Sequence, residues 1–277
     1  MTDALRAWLD TLEHDGALAG PGRLRERIEA LDRLDAWMPD EGELARRVRA
    51  IQQQLEAANA PEYEAIRRAI RRGHGRAAML RWGRAGGATV SVPGNAYDWR
   101  DELVAGVLPF DAPAEAAALP PGMVLYQPTP ARHVFDLLDR LRLDAHDTLV
   151  DLGSGLGHVP LLTAICTKAR GMGIEIERAY VESARACAQA LRLANAHFVQ
   201  GDARDADLAV GSVFYLYTPF TGAVLRHVLD ALRHEAGRRA FRVCGFGPCT
   251  RVLAAEPWLA CDETPGADRV TIFHTWP

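Results

Sequence analysis

Lysine is almost missing from this chain. Lys168 is its one lysine, and 32 basic residues, the rest arginine, stand against 36 acidic ones for a net charge of −4. A chain balanced in this way carries no general phosphate-tracking surface, so nucleic acid is not an expected partner. Cysteine is sparse as well. Cys166, Cys187, Cys244, Cys249 and Cys261 form no Cys-x-x-Cys pair, and Cys244 and Cys249 flank Gly245-Phe246-Gly247-Pro248 too widely for a zinc knuckle. This spacing speaks against a disulfide framework and a metal site, and for buried free thiols in a reducing cytosol. No apolar run approaches the length of a membrane span. Residues 1–16 alternate acids, arginines and apolar positions, without the apolar core of a signal peptide or the acid-poor make-up of a transit peptide. A cytoplasmic protein is expected, and its arginine- and alanine-rich composition reads as GC-rich coding of a bacterial kind. The oligomeric state is not legible.

What is present is enough for a large core. Apolar residues make up 48% of 277 positions and charged residues 25%, values ordinary for a soluble protein with one catalytic domain and a smaller addition. Residues 1–120 form a helical N-terminal region. Asp3–Glu13 is amphipathic, Leu24–Trp37 follows Gly20-Pro21-Gly22, and Glu43–Ala58 repeats Leu44, Val48, Ile51 and Leu55 on one stripe. Pro61 is placed to open a further helix, as proline suits a first helical turn, and Gly73 and Gly75 to close it. Arg67, Arg68, Arg71, Arg72 and Arg76 fall largely on one face of that helix, read as a solvated face in preference to an anion-recognition surface. Tyr97–Leu108 is another helical stretch, and the prolines of residues 109–122 mark a linker. From 121 to 277, short apolar runs alternate with helical patterns: 148–152, 171–176, 196–200, 212–217 and 240–245. A closing antiparallel pair follows at 258–261 and 269–273. Such alternation implies a doubly wound, mostly parallel α/β sheet whose ligand sits at the carboxyl ends of the strands.

The densest signal is Thr148-Leu149-Val150-Asp151-Leu152-Gly153-Ser154-Gly155-Leu156-Gly157. A strand ending in Gly-x-Gly-x-Gly and feeding a helix lets backbone pass close to a cofactor, since no Cβ intervenes. Asp151 decides which cofactor. A dinucleotide site offers its glycine turn to a pyrophosphate, which a carboxylate two residues earlier repels, and the third glycine of Gly-x-Gly-x-x-Gly is replaced by His158. A positively charged ligand, S-adenosylmethionine, fits better. Glu175 follows at the end of the second strand, where a ribose-binding carboxylate belongs in a βαβ unit. Asp202, just past the third strand, is placed to accept from an adenine amino group.

Residues 126–277 on this reading resemble a class I, seven-stranded, Rossmann-like S-adenosylmethionine-dependent methyltransferase. The resemblance implies cofactor contacts for Asp151, Gly153, Ser154, Gly155, Gly157, Glu175, Asp202 and Ala203, and no metal. A second resemblance is shorter. Tyr126-Gln127-Pro128-Thr129 is similar to the Tyr-x-Pro-Thr lead-in of some seven-strand protein-lysine methyltransferases, where it covers the methionine end of the cofactor. It implies cofactor contacts for Tyr126 and Thr129. Thr129-Pro130 also reads as a helix N-cap followed by proline at the first helical position.

In-line transfer from a sulfonium draws most of its acceleration from alignment. The place to find alignment is the loop after the fourth strand, Tyr217-Thr218-Pro219-Phe220. It resembles the Asp/Asn-Pro-Pro-Tyr/Phe loop of nucleobase and glutamine amino-methyltransferases, but has no Asp or Asn, and Thr218 replaces the first proline. A nucleobase acceptor is therefore disfavoured. Tyr217 and Phe220, with Tyr126 opposite, are expected to wall a methyl-transfer channel for a nitrogen acceptor, a protein lysine before a nucleobase. Tyr217 reads equally as core packing, and His158 as a surface side chain or a substrate contact. Three alternatives stand: a small-molecule methyltransferase, a non-catalytic module that binds S-adenosylmethionine or a partner, and a nicotinamide-dependent oxidoreductase.

Overall fold

The computed structural model describes residues 2–14, 16–20, 22–83, 94–110 and 126–275. The stretch 111–122 of the linker, and the boundary at 120, lie outside the described residues. The N-terminal region is helical: α1 (Thr2–His14), α2 (Leu24–Ala36), α3 (Glu43–Arg71), α4 (Gly75–Gly83) and α5 (Trp99–Val107).

Pro61 does not open a helix. It lies inside α3, whose buried positions Val48, Ile51, Leu55, Asn59, Ile66 and Ile70 keep one helical stripe on both sides of it. An interior proline costs about 3 kcal/mol, so the packing on this stripe must outweigh it. Arg27 adds to that packing. It is buried on α2 and donates to Asn59 Oδ1 at 2.5 Å, to the carbonyls of Leu18 and Gly20 at 2.8 and 2.9 Å, and to Glu62. Two of its partners thus flank the proline. Gly73, at φ +79°, does end the segment after α3. Gly75 instead begins α4, a helix the sequence pattern did not reveal. A Cβ there would stand 2.9 Å from Ile165 Cγ2, so the glycine permits a close helix approach.

The second half follows the expected alternation: α6 (Ala131–Leu141), β1 (Thr148–Leu152), α7 (His158–Cys166), β2 (Arg170–Glu175), α8 (Arg178–Leu191) and β3 (Ala196–Gln200). It continues with β4 (Val213–Tyr217), α9 (Gly222–Ala236), β5 (Arg242–Phe246), α10 (Cys249–Ala254), β6 (Leu259–Ala260) and β7 (Thr271–Thr275). These strands make one seven-stranded sheet in the order β3-β2-β1-β4-β5-β7-β6. The β3 to β5 part is parallel, and β7 pairs antiparallel with both β5 and β6. The strand order reverses between β1 and β4, which opens a ligand crevice at their carboxyl ends.

Helices cover both faces, and every residue of β1 is buried. One face packs Val150, Phe214 and Leu216 against Leu225, Val228 and Leu232 of α9. The other packs α6, α7 and α8, and its core runs on without a break into Leu24, Ile28, Ile66, Ile70, Met79 and Leu103 of the N-terminal helices. A separate small core of Leu5, Leu9, Leu34, Val48 and Leu55 holds the outer part together. The arginine face of α3 is not simply solvated. Arg67 donates to the carbonyls of Gly106 and Val107 at 2.7 and 2.9 Å, Arg71 to Ala190 at 3.1 Å, and Arg76 of α4 to Cys166 at 2.8 Å. Two of the three therefore staple the N-terminal helices to the ends of α7 and α8, while Arg68 and Arg72 are exposed. Cys166, Cys187, Cys244 and Cys249 are buried free thiols, and Cys261 is half-buried. Among the described residues no helix is long and apolar enough to cross a membrane.

Candidate active site

A cavity of about 810 Å³ opens at the carboxyl ends of the parallel strands, where the strand order reverses. Asp151, Gly153, Ser154, Glu175, Ala203, Tyr126, Thr129, Tyr217 and Phe220 all line it. Gly155, Gly157 and Asp202 do not.

The three glycines have distinct structural tasks. Gly155 has φ +52°, and a Cβ on it would overlap the Tyr126 ring, so the glycine lets that ring approach the loop closely. A Cβ at Gly157 would overlap Phe198, which makes this glycine a helix-to-sheet packing position. The loop is braced from below. Glu175, at the end of β2, accepts the Gly155 N–H through Oε2 at 2.8 Å and the Glu177 N–H through Oε1 at 2.9 Å. Asp202 accepts from the Arg204 side chain at 2.6 and 3.0 Å, which holds its carboxyl below the usual range. Its neighbours Gly201 and Ala203 face the cavity.

Asp151 is buried near the end of β1, and its carboxyl makes no hydrogen bond or ion pair among the described residues. Burial, and then the charge of Glu175, push its carboxyl well above the ordinary value. Ser154 Oγ is likewise buried and unpartnered among the described residues. An unpaired buried carboxylate and an orphan hydroxyl on one glycine loop both ask for a ligand, and the former asks for a cation.

The lead-in strand of chain behaves differently from its reading as a cap. Pro130, not Thr129, is the N-cap of α6, and the first free N–H of the helix, on Ala131, is taken by Asp101 Oδ1 at 2.7 Å. Asp101 also closes the capping box of α5 and is shifted up to about 6, mainly by burial. Thr129 is thereby freed to share a 2.8 Å hydrogen bond with the buried Tyr215 hydroxyl. Tyr126 stacks on Tyr180 with ring centroids 5.2 Å apart, and its hydroxyl meets His158 Nδ1 at 3.0 Å. His158 is therefore part of the cavity wall, not a surface side chain. It packs on Phe110 at 4.8 Å, and burial lowers its pKa to about 4, so it is a neutral imidazole that shares this hydrogen bond with Tyr126.

Tyr215, Tyr180, Phe246 and the segments 94–95 and 267–268 also line the cavity, and the sequence offered no sign of them. Tyr217 stacks on Phe246 at 4.5 Å. Beyond it Thr218 adopts φ +40°, costly for a β-branched residue, and is held there by donating to the Phe246 carbonyl at 3.2 Å and accepting from Cys249 N–H at 3.1 Å. The strained turn sets Pro219 against Gly153, so that this loop and the glycine loop meet.

Part of this chain is similar to known methyltransferases. Residues 143–229 match the family model described as a methyltransferase domain. Among solved structures, an RNA methyltransferase from Salinibacter ruber in complex with S-adenosyl-L-homocysteine is 29% identical. The match covers 54% of this chain and 92% of that one, with a TM-score of 0.43. A putative methyltransferase from Escherichia coli, yhhF, is 19% identical over 57% of this chain and 88% of that one, at a TM-score of 0.43. An S-adenosylmethionine-dependent methyltransferase from Thiobacillus denitrificans, also with S-adenosyl-L-homocysteine, is 24% identical over 44% and 50%, at 0.36. Among curated proteins none matches. The family match makes residues 143–229 a methyltransferase domain, and the strand order and glycine loop around it are those of the S-adenosylmethionine-dependent class I fold. The cofactor supplies an activated methyl group on a sulfonium, and the residues present fit it: a carboxylate without a counter-ion and an orphan hydroxyl, both lining the cavity beside the glycine loop.

Proposed function

We propose that this methyltransferase transfers its methyl group to a nitrogen of a protein side chain, a lysine amine. The observation that carries the reading is the charge of the cavity. Its described lining includes the carboxylates of Asp151, Glu175, Glu177 and Asp268 and no lysine or arginine. A phosphate-bearing acceptor would meet only like charge there, whereas a cationic donor and a basic acceptor meet opposite charge. In this reading Asp151 takes the ammonium of S-adenosylmethionine, Glu175 takes its ribose hydroxyls with the lone pairs not used on Gly155 and Glu177, and Ser154 contributes its free hydroxyl. Gly201-Asp202-Ala203 frames the adenine, with Asp202 able to turn from Arg204. Tyr126 and Thr129 cover the methionine end, and Tyr217 and Phe220 wall the path of the acceptor.

An amine must lose its proton before it attacks. Aromatic walls of Tyr126, Tyr217 and Phe220 disfavour the charged form by desolvation, so a dedicated base is not required. The N-terminal helices, through the Gly94–Asn95 turn, complete the acceptor side of the cavity.

Labelled S-adenosylmethionine incubated with the enzyme and a fractionated cell extract tests this. Label that is protease-sensitive and released as methyl-lysine on hydrolysis supports it. Label lost with nuclease, or running with small metabolites, replaces the acceptor class. No turnover at all, with cofactor bound, makes the domain a non-catalytic binding module.

A further inference from the structure

The acceptor end of the cavity is a junction of two distant chain segments. Gly94 lies against Asp268 so closely that a Cβ on it would overlap the Asp268 backbone. The Gly94 carbonyl accepts from Arg132 Nη2 at 2.8 Å and is bonded by His133 Nε2 at 2.5 Å. His133 in turn stacks on Phe246 at 4.6 Å, and Phe246 on Tyr217 at 4.5 Å. One continuous run of contacts therefore links the proposed methyl-transfer wall to the rim.

Among the described residues that line the cavity, the one carboxylate exposed to solvent is Asp268, at this rim. It forms no ion pair or hydrogen bond through its side chain among the described residues. The arginines nearby are committed elsewhere: Arg269 donates to the Thr264 carbonyl at 2.6 Å, and Arg132 to the carbonyls of Gly94 and Ala96. Asp151 and Glu175 are buried at the ends of β1 and β2 and are taken up by the cofactor in the reading above.

The geometry points to Asp268 as a specificity-determining residue that selects acceptor segments carrying a second positive charge beside the target amine. The inference rests on the amine-acceptor reading above and adds the sequence context of the acceptor. An aromatic channel accepts any slender amine, but a fixed negative charge at its mouth discriminates by what flanks that amine. Opposite flanking charge is drawn in, and like charge is repelled.

Three synthetic peptides, each with one central lysine acceptor and flanks that are arginine-rich, neutral or glutamate-rich, provide the test with the full-length enzyme and labelled S-adenosylmethionine. Wild type should favour the arginine-flanked peptide by kcat/KM. Asp268→Asn should narrow that preference by about two- to fivefold, the size of an exposed charge pair. Asp268→Arg should invert it, and cofactor affinity by calorimetry should stay constant in both. Equal ranking of the peptides by wild type and both variants overturns the role of Asp268 while leaving the lysine reading intact. Label in none of the peptides, with cofactor bound normally, overturns the lysine reading and this inference with it. A variant whose cofactor affinity falls with its peptide preference places Asp268 in the scaffold of the cavity and likewise overturns the assignment.

Discussion

The carboxylate of Glu175 accepts the backbone N–H of Gly155 at 2.8 Å, across the gap between the end of β2 and the glycine loop that follows β1. The residue proposed to hold the ribose is therefore also the brace of the glycine loop. Glu175→Ala should lose both functions. Two backbone N–H groups, of Gly155 and Glu177, would lose a charged acceptor, each worth about 1.5–3 kcal/mol. We expect cofactor affinity by calorimetry to fall about tenfold or more, with a lower Tm of the apo protein. Glu175→Gln, which keeps an acceptor oxygen, should recover much of the Tm and less of the affinity. A variant that lost affinity at unchanged Tm would limit Glu175 to the ribose.

Asp151 should show the opposite relation between stability and binding. Its folded-state pKa is raised, so its contribution to stability is fully present below the unfolded value near 3.9 and is lost as pH rises through the folded one. The carboxyl has no counter-ion in the apo protein, so ionising it in the folded state is what costs stability as pH rises. Asp151→Asn should stabilise the apo protein by on the order of 1 kcal/mol and flatten its urea midpoint against pH, while abolishing cofactor binding. Unchanged binding would remove Asp151 from the cofactor site.

His158 gives a prediction of the other sign. Burial lowers its pKa to about 4 from an unfolded value near 6.5, so the unfolded chain binds the proton more readily. Its stabilising contribution is complete above about pH 6.5 and is lost as pH falls toward 4, by up to ~3 kcal/mol. Denaturant midpoints of wild type and His158→Gln, compared across that window, should converge at low pH and diverge at neutral pH. Parallel curves would show that His158 does not titrate in this way.

How much of this was legible without coordinates differs by element. β1 and its loop were plain because five consecutive buried residues and three alternate glycines are local signals, and Glu175 and Asp202 follow by counting. The path of α3 was not. A proline is a local break signal, whereas what overrides it is the stripe running on to Ile66 and Ile70 and the grip of Arg27 on Asn59 and Glu62, residues 32 and 35 positions away. The tie of Tyr215 to Thr129 was not legible either, because the two lie 86 residues apart. The meeting of Gly94 with Asp268 leaves no trace in either stretch of sequence, since it is made only by the docking of the N-terminal helices.

Pro61 itself offers a direct check on that override. Its ring removes the N–H that would bond the Ala57 carbonyl in a continuous helix, and the position is exposed. Pro61→Ala should therefore stabilise the protein, by about 1–3 kcal/mol before the greater freedom of the unfolded chain is subtracted. A fall in Tm would mean that the proline sets a bend on which the packing of Asn59 or Ile66 depends.

The N-terminal helices should be inseparable from the methyltransferase domain. A fragment of residues 121–277 would uncover the faces of α6 and α7 that now meet Leu103, Ile70 and Met79. It would also free the carbonyls of Cys166 and Ala190 from Arg76 and Arg71, and remove Gly94 from the rim. Several buried apolar side chains exposed together cost about 1.5–3 kcal/mol each, against a typical domain stability of about 5–15 kcal/mol. The fragment should be insoluble, or bind cofactor without transferring methyl groups. Arg71→Ala and Arg76→Ala in the full chain should give the graded version of this effect, a modest loss of Tm with cofactor affinity retained. Solubility, circular dichroism and labelled-methyl transfer by the fragment decide the matter. A soluble fragment with full transfer to the acceptor used by the whole chain would show that the helices are an accessory and that the acceptor site is built by the sheet alone.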